Sequence, residues 1–299
     1  MLNSQTLCNE WLSSKEKEIK PGTLDKYTSI VNKYLVNLFS QYELSDLNED
    51  ILRHYLSDLV KQGLSSSLLQ SIKNVIKSIY STYESQYGLH HIDFSLVKVD
   101  RNVVKKEELN DKQYGRLHEY CLKEVNALNL SILLAVDTGM MLGEIIALRY
   151  EDIDKQIIHI NKRAQRAKSN EVSTKTLTQV FELEYPVKRD IVISYCLSKY
   201  LEDYCKDKNK DDYLLTNNKV LIMDQKTLQR GLSKICDKLG FEITYQGLRH
   251  TFKQRCIDHC VDTQVIMQQL GITSLTLNLD KDKSLSNERK QQELSKMVG

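Results

Sequence analysis

TGMMLGEIIALRYEDID, residues 138–154, is the stretch that sets the fold of this 299-residue chain. It follows the most hydrophobic run in the sequence, residues 127–136, and precedes a strand-like IIHI at residues 157–160. Gly139 stops the first helix, because glycine takes the left-handed conformation at little steric cost. The order is therefore buried helix, stop, short second helix, acidic turn and sheet, which is the scaffold of a site. Met141 stands where the charge of that site is expected.

Upstream, residues 1–97 read as an all-α unit. Residues 10–17 begin a helix around Trp11 and Leu12. After Pro21-Gly22, Thr23 is a candidate N-cap for a helix whose Leu24, Tyr27, Ile30, Val31, Tyr34 and Leu35 recur at three and four residues. Asn48 caps a further helix carrying Ile51, Leu52, Tyr55, Leu56 and Leu59, and Gly63 ends it. A fourth helix opens at residues 65–67 and turns Leu69, Ile72, Val75, Ile76, Ile79 and Tyr80 inward. Its other face carries Gln70, Lys73, Asn74 and Lys77. Such a face is either solvated or laid in a DNA groove, with amides reading bases and lysines holding phosphates.

Residues 98–108 are polar and charged, with Arg101, Lys105 and Lys106, and read as a linker. The second unit, 109–299, opens with a helix capped by Asn110 or Asp111. Residues 127–137 form a helix apolar nearly all round, hence central. Strands are expected at 157–160, 180–187 and 191–193. Between the first two, residues 161–170 include Lys162, Arg163, Arg166 and Lys168 without a negative charge, and are expected to form a basic hairpin tip. A tip of this kind protects a sheet edge or contacts phosphate; the concentration of charge favours phosphate. Helices follow at 194–205, 226–239 and 261–270, and TYQGLRHTF at 244–252 carries the cationic pair Arg249 and His250.

The chain has a net charge of +2, with 41% hydrophobic and 27% charged residues. It suits two modest soluble domains, and global charge does not announce a nucleic-acid binder. No apolar run of about 18 residues is present, so no membrane partner is expected. Residues 1–20 lack the basic and apolar regions of a secretory signal. The seven cysteines include no CxxC pair. Cys256, His259 and Cys260 form one local cluster without a second pair to complete four metal ligands, so buried thiols in a reducing cytoplasm are expected.

TGMMLGEIIALRYEDID resembles the first box of the tyrosine recombinases, the phage integrase family, and YQGLRHTF resembles their second. LGITSLTLNLD is similar to the segment that in this family begins Leu-Gly-His. The resemblance spans nearly the whole chain. It implies a mainly α fold with a small antiparallel β-sheet: a helical core-binding (SAM-like) domain followed by an α+β catalytic-type domain. It also implies double-stranded DNA as partner, no cofactor, metal or small-molecule substrate, and cytoplasmic, nucleoid-associated residence in a bacterial host. In the family two arginines, a hairpin lysine and two further groups, commonly His, surround a scissile phosphodiester that a C-terminal tyrosine attacks. Guanidinium forks suit the negative charge of phosphoryl transfer, and Lys or His can protonate the leaving oxygen.

Carried over position by position, the first arginine is Met141, which has no hydrogen-bond donor in its side chain. The first His of the second box is Gln246, the His after Leu270-Gly271 is Ile272, and the nucleophile falls near Asp280 or Lys281. Tyr245 is the last tyrosine of the chain. Lys162, Lys168, Lys175 and Lys188 all compete for the hairpin-lysine position. Arg249, His250 and Glu144 remain, Arg249 being expected to hold a phosphate or, alternatively, to pair with Glu144. The expectation is a non-catalytic, sequence-specific DNA-binding protein, similar in kind to the integrase-like lysogeny repressors of temperate phages. An active recombinase with substituted chemistry is one alternative. Another is an inactive accessory subunit docking on a neighbour, or on a second copy, through the tail from Lys281.

Overall fold

The computed structural model describes residues 4–19, 21–98, 108–168, 176–184, 187–272 and 286–297. The chain divides into two compact units, residues 1–104 and 105–299. Lys175 and Lys281, together with most of the expected linker, lie outside the described residues.

The first unit is helical: α1 (Ser4–Lys15), α2 (Pro21–Ile30), a π-helical turn (Val31–Leu35), α3 (Val36–Phe39), α4 (Glu49–Lys61) and α5 (Ser66–Tyr87). Helix α1 starts six residues before the expected 10–17 segment. Its first residue, Ser4, donates from Oγ to Glu43 Oε2 at 2.5 Å and accepts from Leu44 N at 3.0 Å, which ties the start to a distant turn. Helix α2 begins at Pro21, so Thr23 lies inside its first turn and is not the cap. Proline suits that first position because the N–H it lacks has no intrahelical partner there. Asn48 and Ser65 do cap, accepting from Ile51 N and Leu68 N. Trp11, fully buried, stacks on Tyr27 with centroids 5.4 Å apart, and Leu35, Leu52, Ile72, Ile76 and Ile79 complete the core.

The second unit begins with α6 (Asp111–Leu122), whose N-terminus is closed by a reciprocal box: Gln113 N donates to Asn110 Oδ1, and Asn110 N to Gln113 Oε1. Helix α7 (Ala127–Thr138) is buried from Asn129 through Val136, as an all-round apolar sequence requires. After it come α8 (Leu142–Ala147), β1 (Ile153–Asp154), β2 (Ile157–Ile160), β3 (Lys162–Lys168), β4 (Thr176–Glu182) and β5 (Arg189–Val192). The chain continues through α9 (Tyr195–Cys205), α10 (Gln225–Leu239), α11 (Tyr245–Asp258), α12 (Thr263–Leu270) and α13 (Asn287–Ser295). Strands β1, β2 and β5 make an antiparallel sheet with Ile158 opposite Ile191, and β3 pairs with β4 in a separate antiparallel ribbon.

That ribbon corrects two expectations. The basic segment 161–170 is not a hairpin tip up to Lys168: Lys162 to Lys168 is strand β3 itself, in register from Lys162 opposite Glu182 to Lys168 opposite Thr176. The strands expected at 180–187 and 191–193 are 176–182 and 189–192. Pairing with β3 determines where β4 starts, and hydrophobicity alone does not report it. Strand β3 is held against α8 at Gly143, where a Cβ would come within 2.4 Å of the Ala164 carbonyl oxygen. Only glycine admits so close a backbone approach.

Candidate functional site

Three segments converge around Arg249. Helix α7 ends at Gly139, whose φ of +70° a side chain disfavours and whose missing Cβ would stand 2.5 Å from Leu270 Cδ2 and 2.6 Å from Phe252 Cδ1. Helix α11 starts at a Thr244 cap that accepts from Gly247 N at 3.0 Å, and presents Arg249 on its second turn. Helix α12 ends at Leu270 before Gly271 at φ +62°. Arg249 donates from one terminal nitrogen to Gly139 O and from the other to Leu270 O, the latter at 2.7 Å. A guanidinium at two helix C-termini meets the carbonyls and the negative dipole ends that favour it. Burial lowers the pKa of Arg249, an effect the charge of Glu144 opposes.

Arg249 therefore does not pair with Glu144. That carboxylate is taken by Arg189, which donates to Glu144 Oε1 at 2.8 Å and to Oε2 at 2.9 Å. Arg189 also donates to Gln269 O at 3.0 Å. The two side chains are 0% and 5% exposed for Glu144 and Arg189. Glu144 Oε2 further accepts from Met141 N at 2.9 Å, fixing the turn into α8. The fully buried Gln269 amide donates to Val192 O and accepts from Val192 N, stitching α12 to β5. Arg189 was missed in the sequence; its signal, the second of two adjacent cations (Lys188 and Arg189) where a strand opens, is indistinguishable from an edge charge.

The positions where the resemblance expects catalytic groups lie around this arrangement. Met141 is half-buried at the start of α8. Ile272 packs against the cluster of Phe252, Cys256, Val265, Ile266 and Leu270. Gln246 is exposed one turn before His250, their Nε2 atoms 3.4 Å apart. These positions thus supply two apolar side chains and the polar Gln246 and His250, beside two guanidinium groups that donate to protein oxygens.

The residues expected to touch DNA divide. Lys162 lies 3.5 Å from Glu151 and 3.7 Å from Asp152, with its side chain 16% exposed, so its charge is answered within the fold. Arg163 is half-buried, with its Cγ 3.0 Å from where a Cβ on Gly143 would stand. Arg166 and Lys168 are placed as β3 strand residues, and their side chains lie outside the described ones. On α5, Gln70 donates to Asn74 Oδ1 at 2.9 Å, leaving both amides on an exposed face with Lys77. Lys73 turns aside to donate to Val97 O, and burial lowers its pKa.

Of the local cysteine–histidine cluster, Cys256 is buried with Sγ 3.3 Å from Met297 Sδ, His259 Nδ1 lies 2.8 Å from Arg255 O, and Cys260 is exposed. The tail is not frayed at its far end. In α13, Lys290 is buried and donates to Asp190 O at 3.3 Å, Arg289 pairs with Asp262 at 3.0 Å, and Glu293 accepts from Asp262 N at 2.9 Å. Helix α13 therefore packs on its own unit, which corrects the expectation of a solvated tail end.

This geometry and the comparisons agree on the class. The chain belongs to the phage integrase family, whose model matches residues 107–277, and the model of the family's N-terminal SAM-like domain matches residues 5–60. Among curated relatives it is 22% identical over 288 residues to a tyrosine recombinase XerC-like protein of Caldanaerobacter subterraneus subsp. tengcongensis, covering 86% of this chain and 73% of the relative. It is 23% identical over 275 residues to tyrosine recombinase XerA of Pyrococcus furiosus, covering 92% and 90%. Among solved structures, the Tn1549 transposon integrase in complex with transposon right end DNA superposes with a TM-score of 0.77, at 13% identity and 100% coverage of both chains. A lambda integrase dimer bound to a COC' core site gives 0.66 at 14% identity, covering 91% of this chain and 74% of the other. These likenesses establish a mainly helical fold with small antiparallel sheets, a SAM-like unit followed by a catalytic-type unit.

Proposed function

We propose that this chain is a DNA-binding member of the family that does not cut DNA, and that occupancy of a target site, as by a phage or mobile-element repressor, is its function. The observation that carries the reading is which residues stand at the positions where the family resemblance expects catalytic groups. Met141 and Ile272 offer no hydrogen-bond donor from their side chains, and Arg189 is turned onto Glu144, while Arg249 keeps N–H groups beyond the two that meet the helix ends and can hold a phosphate. Phosphoryl transfer needs donors aimed at the developing charge, and loss of one such donor slows comparable reactions by roughly 10²–10³. The sequence around Asp280 and Lys281 also holds no tyrosine to serve as nucleophile. DNA as partner is supported by solved neighbours described as DNA complexes.

The names of the curated relatives favour a second reading, site-specific recombination. A nicked suicide duplex carrying the native target separates the two, once genome-wide mapping of bound DNA has supplied that target. Sites near promoters and no covalent adduct on denaturing gels are expected. An adduct overturns the non-catalytic reading, and co-purification with an active recombinase without sequence-specific binding points to an accessory subunit.

A further inference from the structure

The buried face of α12 consists of Val265, Ile266, Leu270 and one amide, Gln269, which is fully buried. An apolar side chain at this position would complete the stripe of the helix, so the amide needs a reason. Burying it costs free energy unless its hydrogen bonds are met. Both are met by one residue: Nε2 donates to Val192 O at 2.8 Å, and Oε1 accepts from Val192 N at 3.3 Å. Val192 ends β5, the edge strand of the β1-β2-β5 sheet. The amide therefore stands where the backbone of a further strand would stand, and it fixes the last turn of α12 to the sheet.

That turn carries two consecutive carbonyls gripped by guanidinium groups. Gln269 O accepts from Arg189 Nε at 3.0 Å, and Leu270 O accepts from Arg249 at 2.7 Å. Helix α12 has only eight residues, and the last turn of a short helix, whose carbonyls lack intrahelical partners, is where it frays. Without the amide, the carbonyl that orients Arg249 would move with that turn. Arg249 commits N–H groups to Gly139 O and Leu270 O, and among the described residues its others meet no acceptor.

We propose that Gln269 is a positioning residue: by locking the end of α12 to β5 it fixes the Leu270 carbonyl, and through it aims the remaining N–H groups of Arg249 at a DNA phosphate. This rests on the DNA-binding reading above. Gln269 itself touches no DNA in this arrangement, since its amide is spent on Val192.

The test titrates the full chain against a fluorescein-labelled duplex carrying the mapped target, at several salt concentrations and below the melting transition of the least stable variant. Gln269→Met keeps the length of the side chain and removes both hydrogen bonds. A residue that only supports the fold lowers the fraction of competent protein, which scales K alike at every salt concentration and leaves the slope of log K against log salt in place. A residue that aims Arg249 makes the slope shallower by up to roughly 0.9, the share of one phosphate contact, and this is the result expected. In an Arg249→Met background the same replacement should change the slope no further. Gln269→Leu, which suits the apolar surroundings of Val265 and Ile266, keeps the test readable if the Met variant folds poorly. An unchanged slope in both Gln269 variants, or a further loss of slope in the Arg249→Met background, overturns the role of Gln269 while leaving DNA binding intact. Absence of binding by the unaltered chain at any salt concentration overturns the DNA-binding reading as well.

Discussion

Glu144 is gripped through both carboxylate oxygens by Arg189, with both side chains essentially out of water. The pair sits beneath the turn that leads into α8, so the acid of the first box serves as an internal brace. A buried pair of this kind is weak as a net stabiliser but severe to break, because the survivor is left charged and unpaired. Arg189→Met should therefore destabilise the chain by about 3–5 kcal/mol. Replacing both partners, Glu144→Leu with Arg189→Met, should cost less than that single change. Urea unfolding of the three proteins checks the order.

Arg249 bridges the ends of α7 and α12 through Gly139 O and Leu270 O. Hydrogen bonds from a charged donor contribute roughly 1.5–3 kcal/mol each, so Arg249→Met should lower stability by at least about 2 kcal/mol. Thermal melts read the loss directly. If Arg249 acts chiefly on phosphate instead, the variant will melt like the unaltered chain and lose only DNA affinity.

Much of this architecture was legible because local chemistry writes it. Asn48, Ser65, Asn110 and Thr244 cap as their side-chain oxygens allow, and Gly139 and Gly271 stop helices at positive φ. The all-round apolar run of α7 announced a central helix for the same reason. What stayed hidden depends on partners distant in sequence. KRAQRAK gives no alternating pattern, and it is a strand because Gly143 admits Ala164 and because β4 completes its ladder. The choice of Arg189 over Arg249 as partner for Glu144 is likewise a tertiary fact, decided by where β5 passes α8 and α12.

His118 donates from Nε2 to Asp137 Oδ2 at 3.0 Å, beside Tyr114, whose hydroxyl donates to Asp137 Oδ1 at 2.9 Å. The hydrogen bond to Asp137 raises the pKa of His118, with burial and Arg255 opposing. A folded-state pKa above the unfolded one means that protonated His118 stabilises the fold. That contribution is full below the ordinary histidine value, near 6.5, and is lost as pH rises through the raised folded value. The stability difference between the unaltered chain and His118→Gln should shrink between pH 6 and pH 8. A difference independent of pH across that window would show that the imidazole is not titrating against Asp137.

Lys162 and Arg163 are adjacent cations with unlike surroundings. The Lys162 ammonium faces Glu151 and Asp152, so the pair of acids already answers it. Lys162→Ala should leave the salt dependence of DNA binding nearly unchanged, whereas Arg163→Ala should flatten it by about one contact. Equal effects from the two replacements would show that the bridge to Glu151 and Asp152 opens on DNA.

Helix α13 packs on the unit that carries it. Leu294 and Met297 lie against the Phe252 cluster, and Lys290, whose pKa burial lowers, reaches Asp190 O. Deleting residues 286–299 strips an apolar cover from α11 and α12 and leaves Asp262 N without its Glu293 partner. Stability should fall by about 2–4 kcal/mol, the scale of losing two buried apolar side chains. The sedimentation behaviour of the chain should be the same before and after the deletion. A helix exchanged between copies predicts the opposite pair of results, an unchanged melt at low protein concentration and loss of a dimer. Melting and sedimentation on one protein series therefore distinguish a brace within the unit from a link between molecules.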